Sequence, residues 1–423
     1  MRGRVPTCSL KSETMTRSLE GIRVLDFSRV LAGPYCGMVL ADLGADVIKI
    51  ERDGVGDDLR GWGPPFMADG ESTYFLSVNR NKRSIAIDLK SEAGRDVARD
   101  LVRSSDVVLE NFRLGVMESL GLGYEELSKI NPRLVYCSIT GYGTAGPLMD
   151  RPGYDIIIQS MGGLMSITGE PEGMPMRVGV AIVDLVTGLY SVIAILAALQ
   201  SRDRHGHGQR VDLSLLESCL SAMPNLTAGY LMGAVKPTRL GNGHPNAVPY
   251  KTFATRDGYM TLAIGNDTQW QRFCAAVGHP ELAKDSRYAQ NHERIARRME
   301  VEQLVSGWLR QKDTDDWITV LESAEVPSGP VYTIDRILAD PQVAALGLVK
   351  TAVHPTSGPL RFVGAPFHLS SDDTEPYRPP PLLGEHTHAI LQEVLHLSEA
   401  DIRELTQNGA FGAKLAKKSE CTN

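Results

Sequence analysis

The chain has no CxxC pair. Its six cysteines, Cys8, Cys36, Cys137, Cys219, Cys274 and Cys421, are scattered over 423 residues, so neither a disulfide framework nor a zinc site is indicated, and reduced, intracellular thiols are expected. It also lacks a basic stripe or any nucleic-acid-reading motif. A net charge of −7 gives it no general attraction to nucleic acid or anionic lipid. No apolar run is unbroken over a bilayer's width. The longest, around residues 178–200, is interrupted by Asp184, Thr187, Gly188 and Ser191 and reads as a core helix, so no membrane partner is expected. The first 18 residues lack an apolar h-region, which argues against a secretory signal. Arg2, Arg4, Lys11 and Arg17 against Glu13 fit either a mitochondrial presequence or an extension upstream of a start at Met15. A cytoplasmic location is expected, with the mitochondrial matrix as the alternative.

What is present is an ordinary globular composition, 42% hydrophobic and 22% charged, at a length that suggests two or three domains. From Gly21 to Thr140 strand-like and helix-like segments alternate. Residues 21–27, 44–51, 84–88, 106–111 and 134–140 read as strands, with helices at 35–43, 91–103, 116–120 and 124–130. That alternation predicts an α/β class, with a Rossmann-like parallel sheet and right-handed crossovers. Arg52 closes the second strand, where open α/β sheets place ligand contacts. Residues 53–83 form a long Gly-, Asp-, Pro- and Asn-rich excursion, more often functional than idle in a compact domain. Gly141-Tyr-Gly143-Thr-Ala-Gly146 matches G-x-G-x-x-G, but Pro147 to Pro152 follow it without a helical period. A dinucleotide fingerprint must open a helix, so this is a glycine-rich loop and NAD is discarded. His205 and His207 lie in a Gly-rich turn with no third ligand near, so metal is not expected.

After a helix expected over 216–231, Gly241-Asn242-Gly243-His-Pro suits an exposed loop, either a plain connection or a lid. A hairpin at 250–264 and helices near 268–277, 294–311 and 314–323 follow. They define a smaller α+β domain at 226–330, set between a first part of the large domain at 19–225 and a returning part at 331–410. The basic tail at 411–423 reads as disordered.

One acid stands out. Asp184 falls at the mouth of an apolar helix whose Leu185, Leu189, Val192, Ile193, Leu196 and Leu199 recur at helical spacing. Free N–H groups and the positive end of the helix dipole lie there, so the carboxylate is expected to stay ionised, as a nucleophile requires. A plain N-cap is the competing reading. Thr187 rather than Glu or Gln leaves no capping box, and the residue pattern alone does not choose between the two.

The ordered set Leu19-Glu-Gly-Ile-Arg-Val-Leu-Asp-Phe-Ser-Arg-Val-Leu-Ala-Gly-Pro34, Gly44-Ala-Asp-Val-Ile-Lys-Ile-Glu-Arg52, Asn79-Arg-Asn-Lys-Arg-Ser84, Glu110-Asn-Phe112, Gly179-Val-Ala-Ile-Val-Asp184 and Pro381-Leu-Leu-Gly-Glu-His-Thr387 resembles the class III CoA-transferases from about Leu19 to about Leu405. Gly61-Trp-Gly-Pro-Pro65, Tyr136-Cys-Ser-Ile-Thr-Gly-Tyr-Gly143 and Arg378-Pro-Pro-Pro-Leu-Leu-Gly384 are similar to the succinyl-CoA:glutarate (dicarboxylate) members. The resemblance implies an interlocked homodimer in which Asp184 attacks an acyl-CoA thioester. An aspartyl-acyl anhydride and then an aspartyl-CoA thioester would follow, from which CoA passes to a small carboxylic acid. It implies CoA contacts at Leu31, Ala32, Arg52, Ile87, Lys90, Asn111, Phe112, Arg113 and Tyr154, and no cofactor beyond coenzyme A as substrate. Arg29 would face the acyl group, where a cation suits the second carboxylate of a dicarboxylic acid. Gly241, Asn242 and Gly243 resemble a glycine loop that shields the intermediates. An α-methylacyl-CoA racemase of the same fold is the alternative. It would need a His acid/base where Tyr154 stands, and tyrosine does not readily take a proton from carbon at neutral pH.

Overall fold

A computed structural model describes residues 17–370 and 376–411. The N-terminal extension before Arg17 and the basic tail from Ala413 lie outside those residues. Two compact units make up the chain. The first comprises the described residues up to Gly162, Gly179–Pro224 and those from Ala345 on; the second comprises Gly163–Val178 and Asn225–Ala344. The second thus takes in more than the 226–330 segment expected from sequence.

The first unit is built on six parallel strands in the order β3-β2-β1-β4-β5-β6: β1 Arg23–Asp26, β2 Asp46–Arg52, β3 Arg83–Ile87, β4 Val107–Glu110, β5 Val135–Thr140 and β6 Arg210–Ser214. Crossover helices cover both faces of such a sheet, so its strands bury both sets of side chains. Leu25 lies level with Ile48 on one side and Val108 on the other, and all three belong to the core. The strand order runs outward from β1 to β3 and then jumps back to β4. That reversal opens a crevice at the carboxyl ends of β1 and β4, the place where open α/β sheets take ligands.

The returning C-terminal segment completes this unit. Ile390, Leu391, Val394 and Ile402 join the same core, and the Gly384-Glu-His-Thr387 motif clasps the edge strand β3. Gly384 N donates to Ser84 Oγ at 2.9 Å, His386 N to Ser84 O at 2.9 Å, and Ala86 N to Thr387 Oγ1 at 3.2 Å. An edge that would otherwise present unpaired backbone groups is covered. An antiparallel hairpin, β10 Val349–His354 with β11 Gly358–Val363, precedes it.

The second unit carries a three-stranded antiparallel sheet, β7 Tyr250–Ala254, β8 Tyr259–Ala263 and β9 Ser328–Pro330. Its helices Asp267–Ala276, Arg298–Leu309 and Thr314–Ser323 enclose a core that includes Trp270, Phe273, Val305, Leu309, Trp317 and Leu321. The single helix expected at 216–231 is two, Leu215–Ser221 and Pro224–Gly233. Pro224 has no N–H for an unbroken ladder and opens the second helix instead. Residues 141–153 form no helix or strand, as the glycine-rich reading required.

Candidate active site

The turns after β1 and β4 meet across the crevice. Asn111, just past β4, accepts from Arg29 N at 2.8 Å and donates Nδ2 to Arg29 O at 2.7 Å. The amide side chain closes a two-bond clasp between the strand ends. Glu110 Oε2 accepts from Phe112 N at 2.8 Å, and burial pushes its carboxyl up to about 7. The Arg29 guanidinium sits 4.4 Å from the Phe112 ring centroid.

Asp184 enters from a third direction. Its helix, Ile182–His205, packs against the helix Ala32–Asp42 at Gly188, where a Cβ would stand 2.7 Å from Ala32 O. That approach requires glycine and brings the first turn carrying Asp184 beside Leu31 and Ala32. A cleft of about 370 Å³ results. Asp184 lines it together with Arg29, Leu31, Ala32, Asn111, Phe112, Arg113 and Tyr154. A second cleft of about 470 Å³ is lined by Arg52, Ile87 and Lys90, and Arg29, Phe112 and Val116 line both. Every residue singled out in the first unit therefore faces one of two adjoining clefts at the sheet's switch point.

Asp184 does not cap its helix. Ala181 is the N-cap residue and makes no side-chain cap bond. The amides expected to serve Asp184 go elsewhere: Val183 N and Asp184 N donate to Asp155 Oδ1, at 2.8 and 3.3 Å. Asp155 Oδ2 accepts from Gln159 Nε2 at 2.7 Å. A carboxylate 29 residues upstream thus satisfies the helix start. Asp184 is left with burial and a like charge beside it, which together push its carboxyl up to about 7. The expectation of a carboxylate held fully ionised by the helix is corrected by that arrangement.

Sequence reasoning passed over two neighbours of this acid. Asp155 follows Tyr154, the position that decides against the racemase, and carries no motif of its own. Tyr74, inside the 53–83 excursion, feels both acids: burial first, then the charges of Asp184 and Asp155, hold its phenol above the ordinary range. No motif marked either one. At the join of the two clefts Asp58 lies 2.5 Å from Arg52 Nη2 and 3.8 Å from Arg29 Nη1. Gly241, Asn242 and Gly243 belong to the second unit. There Gly241, at φ +58°, donates its N–H to Gly169 O at 3.0 Å.

A model of CoA-transferase family III matches residues 19–387. The chain belongs to this family. It is similar to the human succinyl-CoA:glutarate CoA-transferase, at 44% identity over 93% of this chain and 90% of that one. It is 46% identical to the succinate–glutarate CoA-transferase of Agrobacterium fabrum, over 89% of this chain and 95% of that one. Among solved structures, a CaiB/BaiF family protein from Brucella suis matches at 44% identity and a TM-score of 0.80, covering 89% of this chain and 99% of that one. Rv3272 from Mycobacterium tuberculosis matches at 31% identity and a TM-score of 0.79, covering 88% and 99%. Membership in a CoA-transferase family does not favour the racemase alternative.

Proposed function

We propose that this family III member transfers CoA from succinyl-CoA to a dicarboxylic acid of the glutarate class, with Asp184 as nucleophile. The observation that carries the reading is that Asp184 opens onto the same cleft as Leu31, Ala32, Asn111, Phe112 and Tyr154. A carboxylate oxygen of Asp184 attacks the thioester carbonyl and expels CoA thiolate, leaving a mixed anhydride. The thiolate attacks the aspartyl carbonyl of that anhydride, releasing succinate and forming an aspartyl-CoA thioester. The acceptor carboxylate then attacks this thioester, and the freed thiolate takes the acceptor's acyl carbonyl, returning Asp184. The overall transfer exchanges one thioester for another and is near balance, and no step requires redox or metal chemistry.

Several features support these assignments. The second cleft, with Arg52 and Lys90 at its wall, suits the anionic nucleotide end of CoA. Arg29, facing both clefts, suits the distal carboxylate of the acyl group. Gly241-Asn242-Gly243 would act as the shielding loop. A carboxyl titrating near 7 is a stronger nucleophile once ionised than an ordinary aspartate, because the low-dielectric setting that raises its pKa also leaves it poorly solvated.

A homodimer belongs to the same proposal. Ile156, Ile157, Met161, Leu189 and Ile193 are exposed, Ile193 by 61%, and a second copy would cover this apolar surface. The Asp184 helix is long and apolar enough to cross a membrane, but its Asp184 lines a cleft of an α/β unit. Light scattering of the purified chain tests the dimer. The chemical test is mass spectrometry after mixing with succinyl-CoA. A covalent adduct is expected on the peptide holding Asp184, and Asp184→Ala should bind CoA while losing at least ~10⁴-fold in transfer. Full activity in that variant would overturn the reading.

A further inference from the structure

The turn that follows β1 is held by side chains from outside it. Ser28 O accepts from Lys49 Nζ at 2.8 Å, and Val30 N donates to Asp57 Oδ1 at 3.1 Å. Between them, Arg29 is clasped by Asn111 through both backbone groups. Three successive residues are thus fixed by partners from β2, from the loop behind it and from the end of β4. Val30 sits at φ +65°. A β-branched residue adopts that region only when its surroundings impose it. Leu31 and Ala32, which follow directly, line the cleft that Asp184 lines.

Lys49 and Asp57 are among the residues that bound the second cleft. Their charged groups are 2.8 Å apart, and neither side chain has any exposed surface, so the two charges face each other and not the solvent. Stability alone does not require such a pair, since apolar residues of similar volume often serve as well or better. Asp57 divides its carboxylate: Oδ2 faces Lys49, while Oδ1 accepts from Val30 N and from Leu59 N at 3.0 Å. Burial alone would raise this carboxyl, yet Lys49 and those two amides hold it below its usual value. A leucine in its place would fill the volume but could not hold Val30.

We propose that Asp57, steadied by Lys49, is a positioning residue of the transfer reaction: it keeps Val30 in its left-handed conformation and so sets the Leu31–Ala32 wall relative to Asp184. The proposal rests on the reading that this cleft takes the acyl-CoA thioester. Asp57→Asn alone would strand the Lys49 charge, so the informative variant is the double Lys49→Met/Asp57→Leu. It should fold with unchanged near-UV dichroism and bind CoA within about threefold of the parent. Its kcat from succinyl-CoA should fall by about 100-fold with KM nearly constant, the scale of loss that ~1 Å of misplacement produces. Adding Val30→Gly, which adopts positive φ freely, should recover at least ~10-fold of that kcat, a rescue that a merely stabilising pair would not show. A double variant with parental kcat, one whose loss Val30→Gly leaves untouched, or one that does not fold would each overturn the positioning role. Asp184→Ala assayed alongside separates the two levels. If it stays active the parent reading falls, whereas parental kcat in the double variant beside an inactive Asp184→Ala overturns the positioning role alone.

Discussion

The floor and the rim of the two clefts use the same residue types for opposite ends. Lys49–Asp57 on the floor, and Lys82–Asp26 deeper in the same unit, are ion pairs of 2.8 and 2.9 Å with no exposed side-chain surface. Their remaining valences go to nearby backbone and side-chain groups: Lys82 Nζ donates to Pro34 O at 2.7 Å and to Asn79 Oδ1 at 2.9 Å, and Asp26 Oδ1 accepts from Ser28 N at 3.0 Å and from the Ser28 hydroxyl. On the rim, Arg52 and Asp58 pair with 49% and 45% of their side chains exposed. A floor charge left alone has no solvent to fall back on, so each member must keep its partner and can fix a turn. A rim charge exchanges its partner for water or for a ligand anion at little cost. Shape is therefore held below the site, and on the proposed reading ligand charge is met above it.

The test with the largest expected effect breaks the deeper pair. Lys82→Met leaves Asp26 buried without its cation and should cost roughly 3–5 kcal/mol, read as a fall in the urea midpoint at unchanged slope. A cost below ~1 kcal/mol would erase the distinction between floor and rim. Asp184 supplies the next largest effect, because it lies between the two regimes. In the proposed mechanism the ionised form is the nucleophile, so kcat/KM for succinyl-CoA should rise with pH along a limb centred near the carboxyl's value of about 7. A flat profile from pH 5 to 8 would place the titrating group elsewhere. The stability sign is opposite. A carboxyl whose folded pKa lies above its unfolded value binds its proton more tightly when folded, so the fold gains at low pH and loses that gain as pH rises through the window between the two. Asp184→Asn should therefore melt above the parent at pH 8, by a difference on the order of 3–4 kcal/mol, and most of the difference should be gone toward pH 4.

How much of this was legible in the sequence follows from range. The β-α alternation and the parallel sheet come from local periodicity, which is legible from Gly21 to Thr140. Asp184 stood out through its position at an apolar helix and through the motif around it. Its electrostatic state did not, since that depends on Asp155 taking the helix amides from 29 residues away. Lys49 and Glu51 were equally opaque. In Ile48-Lys-Ile-Glu51 the polar and apolar residues alternate as they would in a half-exposed strand, yet β2 is interior and both charges are buried. Glu51 is answered by Arg60, at 2.7 Å, and Lys49 by Asp57, both from the 53–83 excursion. A charged residue in a doubly covered strand requires a partner, but no spacing rule names it.

The smallest expected effect belongs to the rim. Asp58→Asn removes the carboxylate that bridges Arg52 and Arg29 where the clefts join. Both arginines are partly solvated there, so the loss of pairing should change unfolding free energy by no more than ~1 kcal/mol. Freed from a competing carboxylate, the two cations should meet the ligand's anionic groups more strongly. KM for succinyl-CoA should then fall by about two- to fivefold at low salt, with kcat unchanged and the gain shrinking at 0.5 M salt, since exposed charges are screened over about a Debye length. A rise in KM would mean that Asp58 orients the arginines rather than competing for them. The rim would then be a second fixed element like the floor beneath it.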